Sequence, residues 1–258
     1  MCWRRLSNLT LYTKVYPLRK KTKNSQKKSK VIDLTDGLEN PFPTYRNRLK
    51  PRSENQRDYI RTVAENHITF CQGVAGSGKT HIAIGMALEY LLEEKVKKII
   101  ITRPVVESGE KIGYLPGTAE EKLHPYLLPL LDEVNYFIPP AQYANLKINN
   151  KVEIVPLGLM RGRNFHDSFI VADECQNASY DQLKMLLTRL GNGSKMVLTG
   201  DISQSDLHRH MQGGFLTMTQ VLTNISGIGI SYLDMKDIVR NPIIGSILDR
   251  LNSYENEA

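Results

Sequence analysis

The chain has 258 residues, of which 41% are hydrophobic and 24% are charged, as in an ordinary globular domain with a sizeable core. No run of about eighteen apolar residues occurs, which excludes a membrane-spanning helix and gives no reason to expect a membrane partner. The three cysteines are widely spaced and form no CxxC pair, which argues against a disulfide framework or a zinc site and favours a reducing, cytoplasmic setting.

Positive charge is concentrated at the amino-terminal end. Residues 1–52 hold fourteen Lys or Arg and three acids, whereas the rest of the chain holds twenty basic and twenty-four acidic residues, and the net charge is +7. The stretch 19–30 is too polar to bury much apolar surface, so we expect it to be disordered when free. It either contacts a nucleic-acid backbone without sequence preference or is a solvated tail, and the sequence leaves both open. We therefore divide the chain into a basic arm with a linker, residues 1–50, and a folded domain, residues 51–258.

After the arm, strand and helix patterns alternate. The predicted strands cover residues 67–72, 96–102, 152–156, 168–172, 196–199 and 228–233. The predicted helices cover residues 55–65, 80–94 (with its apolar residues on one face), 179–190, 215–223 and 242–251, and one or two more lie between 120 and 146. Residues 104–118 are predicted to form a long loop, which in a compact domain is often functional. The alternation predicts an α/β domain with a mostly parallel sheet and helices on both faces.

Residues 73–80 match the pattern GxxxxGK[ST] between a predicted strand and a predicted helix. In that context a glycine-rich loop curls its backbone N–H groups around phosphate oxygens, with a helix N-terminus behind them. A flexible turn without a ligand is the alternative, and the strand–loop–helix context disfavours it. Lys79 can reach the β and γ phosphates of ATP, and the Thr80 hydroxyl can bind Mg²⁺. The predicted nucleotide-binding residues of this segment are Gly73, Val74, Ala75, Gly76, Ser77, Gly78, Lys79, Thr80 and His81.

Two acids follow the apolar run at residues 169–172. Asp173 and Glu174 come directly after it, and the carboxyl ends of parallel strands line the ligand crevice of an open sheet. We expect Asp173 to hold Mg²⁺ together with Thr80, directly or through water. We expect Glu174 to orient and deprotonate the attacking water.

Three weaker patterns each have a simpler explanation. Gln204, just beyond the apolar run 197–199, is a candidate sensor of the γ-phosphate or the lytic water, although an ordinary turn capped at Asp201 or Ser203 explains the same residues. The segment 208–210 (His-Arg-His) could bind a metal, but such a pair more often lies on the surface. Other candidates are tyrosines that could stack on bases or simply belong to the core or an interface, namely Tyr114, Tyr126 and Tyr136.

Several motifs together resemble a known family. Residues 173–176 (Asp-Glu-Cys-Gln) and 199–204 (Thr-Gly-Asp-Ile-Ser-Gln) resemble motifs II and III of superfamily 1 helicases, residues 102–104 resemble motif Ia, and Gln56 resembles the adenine-recognising glutamine. Residues 110–117, 161–163 and 237–240 narrow the resemblance to the PhoH family, the phosphate-starvation-inducible proteins of bacteria and phages. The resemblance covers residues 55–251 and says nothing of the basic arm. Cys175 stands where the family usually has alanine, a change between small residues that we expect to be harmless.

The resemblance implies a single RecA-like P-loop NTPase domain with Mg²⁺-dependent ATPase activity. It also implies a homo-oligomer, expected to be a hexameric ring, and a role on RNA or single-stranded DNA. Two-domain helicases bring an arginine from a second domain to the γ-phosphate, so a single domain would need one from a neighbouring subunit or a mobile one of its own. The candidates in order are Arg240, Arg163 and Arg103, and each of them could instead form a structural ion pair.

Three functions are therefore considered. The first is ATP hydrolysis coupled to movement or remodelling of a nucleic acid, with catalytic residues Lys79, Asp173, Glu174, Gln204 and Arg240. The second is an ATP-gated nucleic-acid clamp or scaffold whose turnover is slow and incidental. The third is a P-loop kinase, which is disfavoured because Glu174 beside Asp173 indicates water as the acceptor.

Overall fold

The computed structural model describes residues 45–105, 119–208, 211–238, 250 and 253–254. In this part of the chain six strands form one sheet: β1 (Ile68–Gly73), β2 (Lys98–Arg103), β3 (Val152–Pro156), β4 (Ser168–Ala172), β5 (Lys195–Gly200) and β6 (Ile228–Leu233). Six α-helices accompany them: α1 (Glu54–Glu65), α2 (Lys79–Leu92), α3 (Ala119–Phe137), α4 (Pro140–Ile148), α5 (Tyr180–Leu187) and α6 (Gly214–Val221). Every neighbouring pair of strands is parallel. The predicted α/β architecture of the RecA-like type is confirmed.

The strand order determines where a ligand crevice can form. The order across the sheet is β3-β2-β4-β5-β1-β6, so β5 lies between β1 and β4. Cys71 of β1 is level with Thr199 of β5, and Ala172 of β4 is level with Leu198. The carboxyl ends of these three strands therefore lie side by side at one edge of the sheet, where open α/β sheets bind ligands.

Alternate residues of the strands point into two separate cores. Cys71, Ile99 and Ile101 pack with residues of α1, α2, α3 and α4 on one face of the sheet. Phe70 and Ile100 pack with residues of α5 and α6 on the other face. Because successive side chains of a strand alternate between faces, a sheet covered by helices on both sides needs the continuous apolar runs that this sequence has.

Two helices differ from their predictions. α2 is buried at every position from 82 to 88, and not on a single face, because it packs between the sheet and its neighbours α1 and α3. α5 ends at Leu187, three residues before the predicted end, because the Thr188 hydroxyl and the Arg189 Nε donate to the Met185 carbonyl and cap the last turn.

Residues 45–49, which the sequence assigns to the arm and linker, pack against the folded body. Tyr45 and Leu49 contact the core beneath α2 and α3. The Arg46 backbone N–H donates to the Phe137 carbonyl at 2.7 Å. The body of the protein therefore includes the chain from at least Tyr45 onward.

Some predicted features lie outside the described residues. They are the arm before residue 45, the family segment at 110–117, the end of the segment 237–240 and most of the predicted helix 242–251. Among the helices that are described, none is long and apolar enough to cross a membrane.

Candidate nucleotide site

The P-loop joins β1 to α2 at the carboxyl edge of the sheet. Gly76 and Gly78 have φ angles of +80° and +91°, a left-handed conformation that glycine adopts without steric cost. These two turns curl the loop, and α2 begins immediately afterwards at Lys79. Its free N-terminal N–H groups and the helix dipole make this end of α2 favourable for a phosphate.

Lys79 lies across the P-loop. Its ammonium donates to the carbonyl oxygens of Gly73 at 2.7 Å and Val74 at 2.9 Å. The Ser77 hydroxyl donates to the same Val74 carbonyl at 2.7 Å and is fully buried. The loop is thus held in its curled shape by its own side chains, and the Lys79 charge is already positioned over it.

Asp173 connects the P-loop helix to the neighbouring strands. Its Oδ1 accepts hydrogen bonds from the hydroxyls of Thr80 and Thr199, both at 2.6 Å, and the residue is 5% exposed. A carboxylate and a hydroxyl in contact beside a phosphate-binding loop are the oxygen ligands that Mg²⁺ prefers. Thr80 and Asp173 therefore fit the metal role expected of them.

Glu174 has a strained backbone beside this pair. Its φ of 53° and ψ of 40° are left-handed, which is uncommon for a residue other than glycine and typical of functional sites. Its side chain remains 36% exposed, and one carboxylate oxygen lies 3.8 Å from the Arg103 guanidinium. The conformation turns this acid out of the line of β4, next to the cleft that Lys79 and Thr80 share with it.

Gln176, to which the sequence alone gave no role, lies at the centre of the contacts around Glu174. Its Nε2 donates to the Glu174 carboxylate and to the Gln204 carbonyl, the latter at 3.2 Å. Its Oε1 accepts from the Asp201 backbone N–H at 3.0 Å, and the residue is 4% exposed. One buried amide thus joins Glu174 to the loop after β5. The available signal was its place in the motif, two residues after Glu174.

The loop after β5 is fastened to the turn after β4 at further points. The Ser205 hydroxyl donates to the Gln176 carbonyl at 3.1 Å, and the Asp206 backbone N–H donates to the Asn177 side chain at 2.8 Å. The Gln204 side chain is exposed, and its carbonyl is the group that contacts Gln176. Its role as a nucleotide sensor stays a prediction.

A cleft of about 560 Å³ lies over the P-loop. It is lined by the P-loop from Ala75 onward, by residues preceding and within α1, by α3 and by Glu174. The lining residues are Lys50, Arg52, Gln56, Ala75, Gly76, Gly78, Lys79, Thr80, His81, Asp132, Glu133, Tyr136 and Glu174. A volume of this size is within the range of small-molecule sites.

His81 connects α2 to α3 at the side of this cleft. Its Nδ1 lies 2.9 Å from the Glu133 carboxylate, and its ring packs edge-on against Tyr136 with the centroids 4.9 Å apart. Tyr136 is 43% exposed and lines the cleft, so its ring is accessible to a ligand there. Stacking on a base, the less favoured of the two roles considered for Tyr136, stays a hypothesis.

The side chains beneath the P-loop are kept uncharged. Burial raises the pKa of the Cys71 thiol to about 12, and burial raises the pKa of the Tyr59 hydroxyl well above its usual value. Burial likewise raises the pKa of the Cys175 thiol, which follows Glu174. A protonated, fully buried thiol is a poor nucleophile, so neither cysteine is suited to covalent catalysis at this site.

Residues 48–252 match the PhoH family, described as PhoH-like protein. The chain belongs to the PhoH family.

The relatives cover most of the chain. A PhoH-like protein of Synechocystis is 41% identical over 208 residues, which make up 81% of this chain and 63% of that protein. A PhoH-like protein of Bacillus subtilis is 41% identical over 201 residues, 78% of this chain and 63% of its own length. Protein PhoH of Escherichia coli is 36% identical over 194 residues, 74% of this chain and 55% of its own. The chain therefore spans between 55% and 63% of the length of these PhoH relatives.

Solved structures resemble the chain more distantly. The large terminase from a thermophilic bacteriophage is 10% identical to this chain, with a TM-score of 0.49. The alignment covers 78% of this chain and 50% of the terminase chain. The Pif1 helicase of Candida albicans is 15% identical to this chain, with a TM-score of 0.42. The alignment covers 79% of this chain and 44% of the helicase chain. Because these identities and TM-scores are low, the family of the chain is shown by the PhoH sequence matches.

The arginines suggested by the PhoH resemblance lie in different settings. Arg163 forms a bidentate ion pair with Glu153, at 2.6 and 2.7 Å. This is the structural ion pair considered above as the alternative to a catalytic role. Arg103 is close to Glu174 and donates weakly to the Tyr126 carbonyl at 3.5 Å. Arg240 lies outside the described residues.

The His-Arg-His segment, for which a surface position was favoured over a metal site, lies mostly outside the described residues, which include His208 alone of the three. Within the part of the chain that is described, no group of three or more His, Cys, Asp or Glu is arranged to hold a metal. The two described cysteines, Cys71 and Cys175, are free and buried.

Proposed function

We propose that this PhoH family protein binds ATP with Mg²⁺ and hydrolyses it. One observation carries the proposal. The P-loop Thr80 hydroxyl lies 2.6 Å from Asp173, while Lys79, Thr80 and Glu174 line the same cleft. A phosphate-binding loop, a pair of oxygen ligands and a nearby exposed carboxylate are the parts that nucleoside triphosphate hydrolysis requires.

Each residue has a defined role in this proposal. The P-loop N–H groups and the Lys79 ammonium bind the phosphates, and Lys79 exchanges its Gly73 and Val74 carbonyls for phosphate oxygens. Thr80 and Asp173 would hold Mg²⁺, which supplies neutralisation of the phosphate charge when bound. Thr199 keeps the Asp173 carboxylate oriented through its own hydrogen bond.

Glu174 is the proposed general base. Its carboxylate orients a water molecule and accepts a proton from it as the water oxygen attacks the γ-phosphorus. The bond from that phosphorus to the β–γ bridging oxygen breaks, and ADP leaves. Gln176 fixes the carboxylate on one side, and the Arg103 guanidinium lies on the other side. A base placed in this way supports water, and not a second substrate, as the acceptor of the γ-phosphoryl group.

A nucleic-acid partner and self-assembly are further parts of the proposal. The basic stretch 19–30 supports binding to RNA or single-stranded DNA through the phosphate backbone. A homo-oligomer, with a hexameric ring as the expected form, would let one subunit supply an arginine to the γ-phosphate of the next. We also propose a cytoplasmic location, supported by the widely spaced cysteines.

The direct test is phosphate release from ATP with and without Mg²⁺, in the absence and presence of single-stranded RNA or DNA. We expect Mg²⁺-dependent turnover that one of the polymers stimulates, and that Lys79→Ala abolishes. Lys184→Ala, which removes an exposed lysine on α5, is the matched control and should keep wild-type turnover. Turnover that persists in Lys79→Ala would contradict the assignment of the P-loop.

A further inference from the structure

Gln56 is bound at both ends of its side-chain amide. Its Nε2 donates to the Ser77 carbonyl of the P-loop at 2.9 Å, and its Oε1 accepts from the Arg52 backbone N–H at 2.7 Å. A longer contact of 3.5 Å joins the same Nε2 to the Asp237 carbonyl, after β6. Three separate parts of the chain therefore meet at one amide that is 4% exposed.

The packing around this amide is close. A Cβ atom added to Gly78 would lie 3.0 Å from the Gln56 Nε2, so the amide sits directly against the most strongly curved residue of the P-loop. The Gln56 backbone is also fixed, because its N–H donates to the Ser53 hydroxyl that caps α1. Rotating the side chain away would break its hydrogen bond to the Ser77 carbonyl, which joins α1 to the P-loop.

Recognising adenine would use the same atoms. A glutamine reads adenine by accepting from the N6 amino group and donating to N7, so both ends of the amide are needed. The Nε2 has two N–H groups, and they face the Ser77 carbonyl at 2.9 Å and the Asp237 carbonyl at 3.5 Å, so donating to a base would remove at least one of these contacts. The contacts that hold the P-loop therefore compete with contacts to a base.

Other surfaces of the cleft can hold a base without distinguishing it. The Tyr136 ring is 43% exposed, and Lys50 and Arg52 bring planar or charged groups to the same space. Every base has a face that stacks on an aromatic ring or a guanidinium, so such contacts are tolerant of base identity.

We propose that Gln56 is a positioning residue that braces the P-loop, and that the cleft accepts nucleoside triphosphates with little regard to the base. This inference rests on the proposed nucleotide site and widens its substrate from ATP to the four common triphosphates. It replaces the adenine-recognising role that the sequence resemblance implies for Gln56.

The test is equilibrium binding of ATP, GTP, CTP, UTP and inorganic tripolyphosphate, which has no base, by competition with a fluorescent nucleotide. We expect the four nucleotide affinities of the full-length wild-type chain to lie within about tenfold of one another. Gln56→Met, which keeps the volume and removes both hydrogen bonds, should weaken all five ligands by a similar factor of about three to ten. A role confined to stability would lower the melting temperature and leave the affinities of the folded protein unchanged. The control is Gln220→Met, a change at an exposed position of α6.

Two results would overturn the inference. One is ATP binding more than about tenfold tighter than the other three nucleotides. The other is a Gln56→Met variant that weakens ATP and leaves tripolyphosphate unchanged. Because the readout is binding, four-base affinity without hydrolysis would remove the proposed function and keep this inference. Base-selective binding with normal turnover would remove this inference and keep the proposed function.

Discussion

At the scale of single residues, the buried Gln176 amide sets the position of Glu174. Replacing it by methionine keeps the volume and removes the donor to the Glu174 carboxylate. Displacing a catalytic group by about 1 Å can cost on the order of a hundredfold in rate, so we expect kcat for ATP to fall by about tenfold to a hundredfold. The affinity for ATP should change little, because Gln176 does not line the nucleotide cleft.

Steady-state kinetics and nucleotide binding measured on Gln176→Met check this split between kcat and KM. Gln220→Met is again the control, since it changes an exposed glutamine that does not line the cleft. A fall in nucleotide affinity with unchanged kcat would show that Gln176 does not act through Glu174.

The contrast between Asp173 and Gln176 shows what can be predicted from sequence at this scale. The P-loop and the acids after β4 are local patterns, and the chemistry of each residue type was enough to expect Thr80 and Asp173 to share a metal. The contacts of Thr199 and Gln176 depend on β4 and β5 lying side by side, which no local pattern encodes. The amide of Gln56 was assigned from resemblance, and its hydrogen bonds to Arg52 and Ser77 depend on the same tertiary packing.

At the scale of elements, Gly73 lets β1 and β6 approach each other where the P-loop begins. A Cβ at this position would lie 2.8 Å from the Leu233 carbonyl and 2.9 Å from the Leu233 Cβ. We expect Gly73→Ala to lower the free energy of unfolding by about 1–3 kcal/mol, because the strands must separate, and to weaken nucleotide binding. Urea unfolding and nucleotide binding measure the two effects.

Gly158→Ala is the matched control for Gly73→Ala. A Cβ added at Gly158 meets nothing within 4 Å, so this change should leave both stability and nucleotide binding close to wild type. Equal effects of the two substitutions would contradict the close approach of β1 and β6 as the cause.

The ion pair of Arg163 with Glu153 stabilises the edge strand β3. The hydrogen bonds from Arg163 lower the pKa of the Glu153 carboxyl to about 2, with Lys98 assisting from β2. Since the folded pKa lies below the unfolded one, this stability is present above about pH 4.5 and is lost as the pH falls toward 2. For a pair that is about one-third exposed, we expect Arg163→Met to cost about 1–2 kcal/mol at pH 7.

Urea unfolding at pH 7 and near pH 3.5 tests the Arg163 prediction, because the difference between wild type and Arg163→Met should narrow at the lower pH. The ATP turnover of the folded variant should match wild type, as expected of a structural pair. Loss of turnover with unchanged stability would restore Arg163 as the arginine that reaches a neighbouring γ-phosphate.

The sequence predicted the bounds of the strands well, because their pattern is local. It predicted burial poorly where contacts between distant parts of the chain determine it. All six strands were expected at or within two residues of their observed bounds, since buried parallel strands are continuous apolar runs. The burial of α2 at every position from 82 to 88 was not expected, because Gly85 lets Phe137 approach its backbone from another element. The packing of Tyr45 and Leu49 was missed for the same reason, since both lie in a stretch rich in charge and proline.

At the scale of the whole molecule, the chain combines a basic arm with a mildly acidic body. Every charged residue among the first 30 is Lys or Arg, so deleting residues 1–30 removes positive charge alone. We expect the deletion to weaken binding to single-stranded RNA or DNA and to flatten the dependence of log Kd on log salt concentration, because fewer counterions are released.

A full-length variant with the lysines of residues 20–30 replaced by glutamine separates charge from length. It removes six of the ten Lys and Arg residues that the deletion removes, so it should reproduce most of the effect of the deletion on nucleic-acid binding. ATP binding should be unaffected in both variants. An unchanged affinity and salt dependence across a titration would show that the arm is a passive tail.

The measurement that tests the central claim most directly is a comparison of ATP binding with single-turnover ATP hydrolysis in Glu174→Gln. This change keeps the shape of the side chain and removes the base, so we expect nucleotide affinity close to wild type and hydrolysis slowed by at least about a hundredfold. Glu65→Gln, an exposed residue at the end of α1, should leave both unchanged. Hydrolysis by Glu174→Gln at the wild-type rate would contradict the assignment of this cleft as an ATPase site with Glu174 as its base.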